Sequence, residues 1–307
     1  MLYAIPSVKT TKFWRNAEMP ALGMINLAKT FKGKHGARVD ALKDLTLDIE
    51  MGEIFGFLGP NGAGKSTTIK LLMGLIHPSS GNANIMGSDI ASTEARRHVG
   101  YLPENPAFYD YLSAEEYLHF VGKTFAMPTS LLREKTEDLL RRLELWDARK
   151  RLMRSYSKGM VQRVGLAQVL LHDPDVYILD EPMSGLDPLG RALVKEIMID
   201  LRKLGKSVFF STHITSDVES VCDRVGVIVK GEMKCVKKVD EITVGGITGY
   251  ELRYLDKRDG SSITEQVRKE ELAARLSTLQ SAGSRVLTVE PVRKNLEDFF
   301  VDIVNQV

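Results

Sequence analysis

A glycine-rich stretch at residues 57–68 reads F-L-G-P-N-G-A-G-K-S-T-T. Its Gly59, Gly64, Lys65 and Ser66 satisfy the pattern G-x-x-x-x-G-K-[ST] of a phosphate-binding loop. Glycines let the backbone take positive φ and approach a polyphosphate closely, and successive N–H groups then point at the anion. The pattern also arises by chance, but here an apolar run precedes it and a helix-like segment follows. That setting is the one that the loop requires.

The residue types in this loop predict how a nucleotide is held. The loop backbone and the N-terminal end of the following helix are expected to bind its phosphates. The Lys65 ammonium is expected to reach the β- and γ-phosphates, and the Ser66 hydroxyl to ligate Mg²⁺. The predicted nucleotide-binding residues of the loop are Gly59, Pro60, Asn61, Gly62, Ala63, Gly64, Lys65, Ser66 and Thr67.

Composition narrows the class of protein. A chain of 307 residues with 43% hydrophobic content is long enough for one large domain or two smaller ones. Its net charge of +2 gives no strong field for nucleic acid, so we expect no nucleic-acid partner. Two cysteines make no disulfide framework, which favours a reduced cytosolic setting. Because no apolar run approaches the roughly 18 residues of a membrane span, we do not expect the chain itself to form a membrane pore.

The pattern of apolar residues divides the chain. Residues 1–23 show no clear period and are interpreted as a poorly ordered N-terminal extension. From residue 24 to 240, short strand-like runs alternate with helical segments, which predicts an α/β domain whose stretch from about 105 to 170 is mainly helical. Residues 241–307 resume strands and helices after a polar, glycine-containing segment, and are predicted to form a small C-terminal α+β domain.

Two carboxylates end a predicted buried strand. The apolar residues 176–179 are followed directly by Asp180 and Glu181. Opposite a phosphate-binding loop, Asp180 is expected to hold Mg²⁺, directly or through water. Glu181, one residue further, is expected to take a proton from an attacking water. The alternative is that both are solvated acidic residues at a strand end.

A third motif is the stretch Y-S-K-G-M at residues 156–160, which is followed by Gln162. This stretch resembles the signature motif of the nucleotide-binding subunits of ABC transporters. Together with the phosphate-binding loop and the strand-end acids, it gives a resemblance to that family over roughly residues 25–235. It differs from the commonest form, L-S-G-G-Q, at three positions and keeps Ser157 and Gly159. The resemblance implies contacts with the ATP of the other subunit by Ser157, Lys158, Gly159, Met160 and Gln162.

The same resemblance implies roles for other positions. His213, in an S-T-H-I setting after a predicted strand, is expected to contact the γ-phosphate and to act in catalysis with Lys65 and Glu181, although a lone histidine is more often structural. Phe31 stands where the family places an aromatic side chain that stacks on adenine, although a core position is the alternative. The loop through which two active sites touch is expected at Ser184, Gly185, Leu186 and Asp187.

Glu104 departs from the family pattern. The family usually has glutamine there, in a loop that senses Mg²⁺ and touches the membrane subunit, whereas this chain reads L-P-E-N. A carboxylate oxygen still ligates Mg²⁺, so the predicted metal ligands are Ser66, Glu104 and Asp180. The alternative is a surface glutamate in a proline-bounded turn.

The resemblance predicts a phosphate-loop NTPase cassette of α/β class, with a helical subdomain and a small C-terminal α+β domain. It implies an Mg²⁺-dependent ATPase that works as a homodimer or heterodimer beneath separate integral membrane permease subunits, on the inner face of the cytoplasmic membrane. The Y-S-K-G-M signature, the L-P-E-N loop and the C-terminal stretch at residues 290–300, with Glu290, Pro291, Leu296, Glu297, Asp298 and Phe300, resemble ABC-2 type exporters, so export is the expected direction. One alternative is a soluble ABC ATPase that remodels ribosomes or DNA, but such proteins usually have two cassettes or long coiled coils, and this chain shows neither. Another is a phosphate-loop kinase, which leaves the signature motif unexplained.

Overall fold

The computed structural model describes residues 19–33, 37–243, 247–257, 260–293 and 296–305. Its strands are β1 Leu22–Lys32, β2 Arg38–Ile49, β3 Ile54–Leu58, β4 Ser80–Ile85, β5 Ser88–Asp89, β6 Val99–Leu102, β7 Val176–Asp180, β8 Ser207–Thr212, β9 Arg224–Val229, β10 Glu232–Lys238, β11 Ile247–Leu255, β12 Ser262–Arg268 and β13 Arg285–Arg293. Its α-helices are α1 Lys65–Leu72, α2 Thr93–Arg97, α3 Ala114–Thr124, α4 Thr129–Arg142, α5 Lys158–Leu171, α6 Pro188–Lys203, α7 Thr215–Val221, α8 Val239–Thr243, α9 Leu272–Ser281 and α10 Leu296–Asn305.

The central sheet has the strand order β10-β9-β3-β8-β7-β6. Its strands from β9 to β6 are parallel, and β10 closes one edge antiparallel to β9. Parallel strands end at the same edge of a sheet, so the segments after β3, β6, β7 and β8 meet there. This topology brings together the predicted phosphate-binding loop, Glu104, the acids after β7 and His213.

Both faces of the central sheet are buried, as the continuous apolar runs of its strands predict. In β3, Phe55 and Phe57 pack with α1 and with a second, antiparallel sheet of order β2-β1-β4-β5. The alternate residues Ile54 and Leu58 pack with the helices on the other side. The phosphate-binding loop is therefore held between two apolar layers, on a strand that cannot shift without disrupting both.

Residues 105–170 contain three helices that pack on one another, α3, α4 and α5. A capping box opens α3 at Ser113 and Glu116, with the Ser113 hydroxyl accepting from the Glu116 N–H and the Glu116 carboxylate accepting from the Ser113 N–H. The apolar stripes of these helices join the same core as one face of the central sheet. Through α5, this helical segment packs against β6 of that sheet.

The first strand begins earlier than the sequence indicated. β1 starts at Leu22, which pairs with Ile49 on one side and Ile85 on the other, and Ala21 and Leu22 are fully buried. The boundary predicted between residues 23 and 24 therefore lies inside a strand, because two apolar residues next to Pro20 are too few to show a period. Residues 1–18 of the predicted extension lie outside the described part of the chain.

The C-terminal region is divided between two cores. A three-stranded sheet of order β12-β11-β13 packs on α9 through Leu252, Tyr254 and Leu279. The last helix, α10, instead buries Leu296 in the main core and packs against α7 and α8. The sequence analysis missed β10 and β12, whose apolar residues alternate with polar ones too weakly to stand out. Among the described residues, no helix combines the length and apolar character needed to cross a membrane.

Candidate functional site

A cavity of about 380 Å³ lies at the carboxyl edge of the central sheet. It is lined by the loop after β3, by the start of α1 and by residues that follow β6, β7 and β8. Sequence-predicted residues that line it are Asn61, Gly62, Ala63, Gly64, Lys65, Ser66, Thr67, Glu104, Glu181, Ser184 and His213. Ala41 of β2 also lines the cavity and was not predicted from the sequence.

The backbone of the loop needs its glycines. Gly62 and Gly64 have φ of 78° and 113°, a region that side chains with a Cβ rarely adopt. A Cβ on Gly59 would lie 2.4 Å from the Ile228 carbonyl oxygen, and one on Gly64 would lie 2.6 Å from that of Ala41. Helix α1 begins at Lys65, directly after Gly64. The strand, loop and helix thus follow one another as the sequence pattern requires.

Lys65 is buried at the base of the cavity. Its ammonium donates to the Gly59 carbonyl at 2.7 Å and lies 3.7 Å from a carboxylate oxygen of Glu181. Burial lowers the pKa of Lys65 from its ordinary value, while the nearby carboxylates of Glu181 and Asp180 act in the opposite direction. Lys65 is therefore a desolvated cation, and the nearby carboxylates stabilise its charged form.

Asp180 is held by two serines. One of its carboxylate oxygens accepts from Ser211 at 2.5 Å and lies 3.5 Å from the Ser66 hydroxyl, and the residue is buried. The Ser211 hydroxyl also accepts from the Glu181 N–H at 3.0 Å. Ser211 was missed in the sequence analysis. The signal available was its place in the S-T-H-I run, but its pairing with Asp180 depends on the register of β7 and β8.

Glu181 combines an unusual backbone with two charged or titratable neighbours. Its φ is 48°, a left-handed conformation that costs energy for a residue with a side chain. The Ser211 hydroxyl and the Ser211 carbonyl oxygen both lie within hydrogen-bonding distance of its N–H and hold this turn. The carboxylate oxygen that lies 3.7 Å from the Lys65 ammonium also lies 3.0 Å from Nδ1 of His213. The three predicted catalytic residues are therefore in one cluster.

The signature residues lie beside this cluster but do not line the cavity. Ser157 is the N-cap of α5, where its hydroxyl accepts from the Met160 N–H at 3.3 Å. Gln162 is buried and donates to the Pro182 carbonyl oxygen, which anchors α5 to the segment after β7. Ser157 and Lys158 are exposed. The start of this helix is therefore accessible to a partner.

The predicted inter-subunit loop runs from Ser184, which lines the cavity, to Asp187. Gly185 has φ of 72°, and a Cβ there would lie 2.7 Å from the Lys158 side chain. Asp187 is the N-cap of α6 and accepts from the Gly190 N–H at 3.0 Å. The neighbouring Leu189 is 78% exposed. The end of this loop and the start of α6 therefore present the charged Asp187 and the apolar Leu189 to solvent.

Two predicted residues lie at the periphery. Glu104 is exposed on the loop after β6 and lines the cavity. Phe31 on β1 does not line it, and its ring is partly exposed with the Lys29 ammonium 5.2 Å from the ring centroid. Within the described ranges, no three His, Cys, Asp or Glu residues form a cluster that could hold a metal. Mg²⁺ commonly takes one or two carboxylates plus substrate phosphates, so a Ser66–Asp180 pair fits such a site.

Comparisons with known proteins agree with this arrangement. Residues 42–184 match the family model described as ABC transporter. An uncharacterized ABC transporter ATP-binding protein from Synechocystis is 39% identical over 281 residues, covering 86% of this chain and 78% of that protein. The solved ATP-binding subunit of an ABC transporter is 32% identical, with a TM-score of 0.67 over 72% of this chain and 91% of that chain.

A second solved structure shares the fold. It is a dimeric ATP-binding cassette in a post-hydrolysis state, bound to ADP and Pi, with a TM-score of 0.66 and 24% identity over 71% of this chain and 98% of that chain. A phosphate-binding loop between two apolar layers, with carboxylates at the end of a parallel strand of the same sheet, defines a phosphate-loop NTPase. The chain belongs to the ATP-binding subunits of ABC transporters. Its general role is to bind and hydrolyse ATP in support of transport.

Proposed function

We propose that two cassettes close over two ATP molecules, with each phosphate-binding loop facing the signature helix of the other subunit. One observation carries the proposal: the Lys65, Glu181 and His213 cluster lines the cavity, whereas the exposed Ser157 helix start lies outside it. A helix N-terminus that is exposed to solvent is a natural anion site. Leu189, exposed beside the loop at 184–187, supplies apolar area for the same contact.

In this proposal each residue has one task. The loop backbone and Lys65 hold the β- and γ-phosphates, and Phe31 stacks on adenine. Glu181 accepts the proton of the attacking water, because its carboxylate lies between Lys65 and His213 at the edge of the cavity. His213 contacts the γ-phosphate. Ser211 keeps the Asp180 carboxylate and the Glu181 backbone in place.

The metal ligands are proposed from the donor set. Ser66 and Asp180 supply a hydroxyl and a carboxylate 3.5 Å apart at the base of the phosphate-binding loop, and Glu104 adds a second carboxylate from the cavity wall. These are hard oxygen donors of the kind that Mg²⁺ prefers. Bound with the phosphates, Mg²⁺ supplies positive charge that neutralises the developing negative charge in phosphoryl transfer.

The cellular setting follows from membership of the family. We propose that the dimer works beneath separate integral membrane permease subunits, on the inner face of the cytoplasmic membrane. Closure on ATP pulls on the permease, and hydrolysis releases the clamp. The L-P-E-N loop and the C-terminal stretch support assignment to the ABC-2 type exporters, with export as the direction of transport.

The test is the dependence of ATP hydrolysis on protein concentration. Because each site is completed by a second subunit, specific activity is expected to rise with protein concentration and to level off when the dimer dominates. Phosphate release measured over a wide dilution series, with size-exclusion chromatography in ATP, checks this expectation. A specific activity that is independent of concentration in a sample that stays monomeric contradicts the proposal.

A further inference from the structure

Behind the catalytic cluster lies a buried ionic contact between α6 and α7. Asp217 on α7 is 1% exposed. One terminal nitrogen of Arg191 lies 2.7 Å from each of its carboxylate oxygens, and the Lys195 ammonium lies 3.2 Å from one of them. Both cations are on α6. A buried carboxylate is strongly destabilising when it loses its partners, so this contact fixes the distance between the two helices.

The contact lies at the starts of both helices. Asp217 is in the first turn of α7, which begins directly after Ile214. Arg191 is in the first turn of α6, which begins directly after the loop at 184–187. A second cavity, of about 200 Å³, is lined by Glu181, Ser184 and His213 together with Arg191 and Asp217. The ion pair and the catalytic cluster therefore line the same cavity.

The two helix starts are capped differently. The start of α6 is capped by the Asp187 side chain, and its buried face, which includes Val194 and Ile197, packs into the main core. The N-cap of α7 is Ile214, which gives no side-chain cap. Without a cap, the first N–H groups of a helix are poorly satisfied. The start of α7 is held instead by Val218 in the main core, by the Thr212 hydroxyl, which accepts from the Ile214 N–H at 3.1 Å, and by the tie of Asp217 to α6.

We propose that Asp217 is a positioning residue that holds His213 at its working place through Arg191 and Lys195. The proposal rests on the γ-phosphate role of His213 proposed above. Because Arg191 lies in the first turn of the helix that begins directly after the loop at 184–187, the same contact passes a displacement of that loop to His213. A partner that docks on this loop then changes the position of the histidine in the same subunit.

The first test compares two buried carboxylates. Asp217→Asn keeps the side-chain shape and removes the charge, and misplacement of His213 is expected to lower kcat for ATP hydrolysis by roughly 10- to 100-fold. The KM for ATP is expected to stay within about twofold, because the loop that holds the phosphates is untouched. The matched control is Glu53→Gln, since Glu53 is also buried, lies 3.2 Å from Arg224 and is remote from the cavity. The control is expected to lower the melting temperature and to leave kcat unchanged.

The second test asks whether the effect passes through His213. In a His213→Ala background, adding Asp217→Asn is expected to change kcat no further. Two results overturn the proposal: wild-type kcat in Asp217→Asn despite a lowered melting temperature, or a full additional loss in the His213→Ala background. If Asp217→Asn does not fold, Arg191→Gln, which leaves Lys195 to pair with the carboxylate, is measured in the same way. Wild-type kcat in His213→Ala alone refutes the proposed role of the histidine, and with it the premise.

Discussion

The phosphate-loop side of the site and its signature side differ in how completely one chain builds them. On the first side, Lys65, Asp180 and Glu181 are buried or nearly so, and each has a polar or charged partner inside the chain. On the second side, Ser157 and Lys158 are exposed, and the serine hydroxyl caps its own helix. Preorganised charges in a desolvated site are worth more than exposed ones. The rate of hydrolysis is therefore expected to depend most on the phosphate-loop side. The signature side is expected to complete the site.

The largest effect is expected from replacing Glu181 on the phosphate-loop side. Glu181→Gln preserves the shape of the side chain and removes the carboxylate that faces Lys65 and His213. ATP hydrolysis is expected to fall by roughly 10²–10⁴-fold, the usual contribution of a positioned base. This corresponds to about 3–5 kcal/mol of barrier. Phosphate release measures the rate, and size-exclusion chromatography with ATP is expected to reveal an accumulating dimer.

The control for this variant is an exposed glutamate that also pairs with a cation. Glu137→Gln removes the carboxylate that lies 2.8 Å from Arg141 on α4, away from the cavity. Its hydrolysis rate is expected to equal that of the wild type. If Glu181→Gln also retains the wild-type rate, Glu181 is not the base, and the acids after β7 serve the metal alone.

A smaller effect is expected on the signature side. Ser157→Arg puts a bulky cation at the exposed start of α5 and removes the N-cap hydroxyl. ATP binding is expected to persist, because Ser157 does not line the cavity. Hydrolysis is expected to fall by roughly 100-fold, the scale on which one anion-stabilising donor contributes. Nucleotide titration and phosphate release separate these two quantities.

Loss of the helix cap is controlled separately. Ser113→Ala removes the N-cap hydroxyl of α3, which lies in the same helical segment but outside the cavity. It is expected to cost about 1 kcal/mol of stability and no hydrolysis. If Ser157→Arg weakens ATP binding by the monomer as much as hydrolysis, the signature helix belongs to the site of its own chain.

The sequence predicted the parts of the site that depend on local pattern. The strand before the phosphate-binding loop, α1 at Lys65 and the strand that ends at Asp180 are where the motifs indicated. Each is set by residues adjacent in the chain, whose types leave few conformations. The fold class followed from the alternation of such segments, and the similarity to solved cassettes confirms it.

What the sequence did not predict depends on contacts between distant segments. The two hydrogen bonds of Ser211 require the register of β7 against β8, and the left-handed turn at Glu181 depends on one of them. The packing of α10 against α7 depends on tertiary structure, because an apolar stripe on a helix does not specify which core it joins. The early start of β1 at Leu22 depends on pairing with strands on both sides. No local pattern specifies these partners.

The smallest expected effect concerns Glu104, which is exposed at the cavity. Its carboxylate lines the cavity from the loop after β6, and its charge helps to keep the pKa of Lys65 from falling further. Glu104→Gln keeps an oxygen donor and nearly the same shape, so hydrolysis by the isolated protein is expected to stay within roughly tenfold of wild type, about 1.4 kcal/mol. Glu104→Ala removes the oxygen, so its hydrolysis is expected to need more Mg²⁺ and to respond less to the permease. Titration of Mg²⁺ against hydrolysis, with and without the permease, tests both variants beside Glu94→Ala, an exposed glutamate on α2. If Glu104→Ala matches Glu94→Ala in every titration, Glu104 is a surface residue and the metal depends on Ser66 and Asp180 alone.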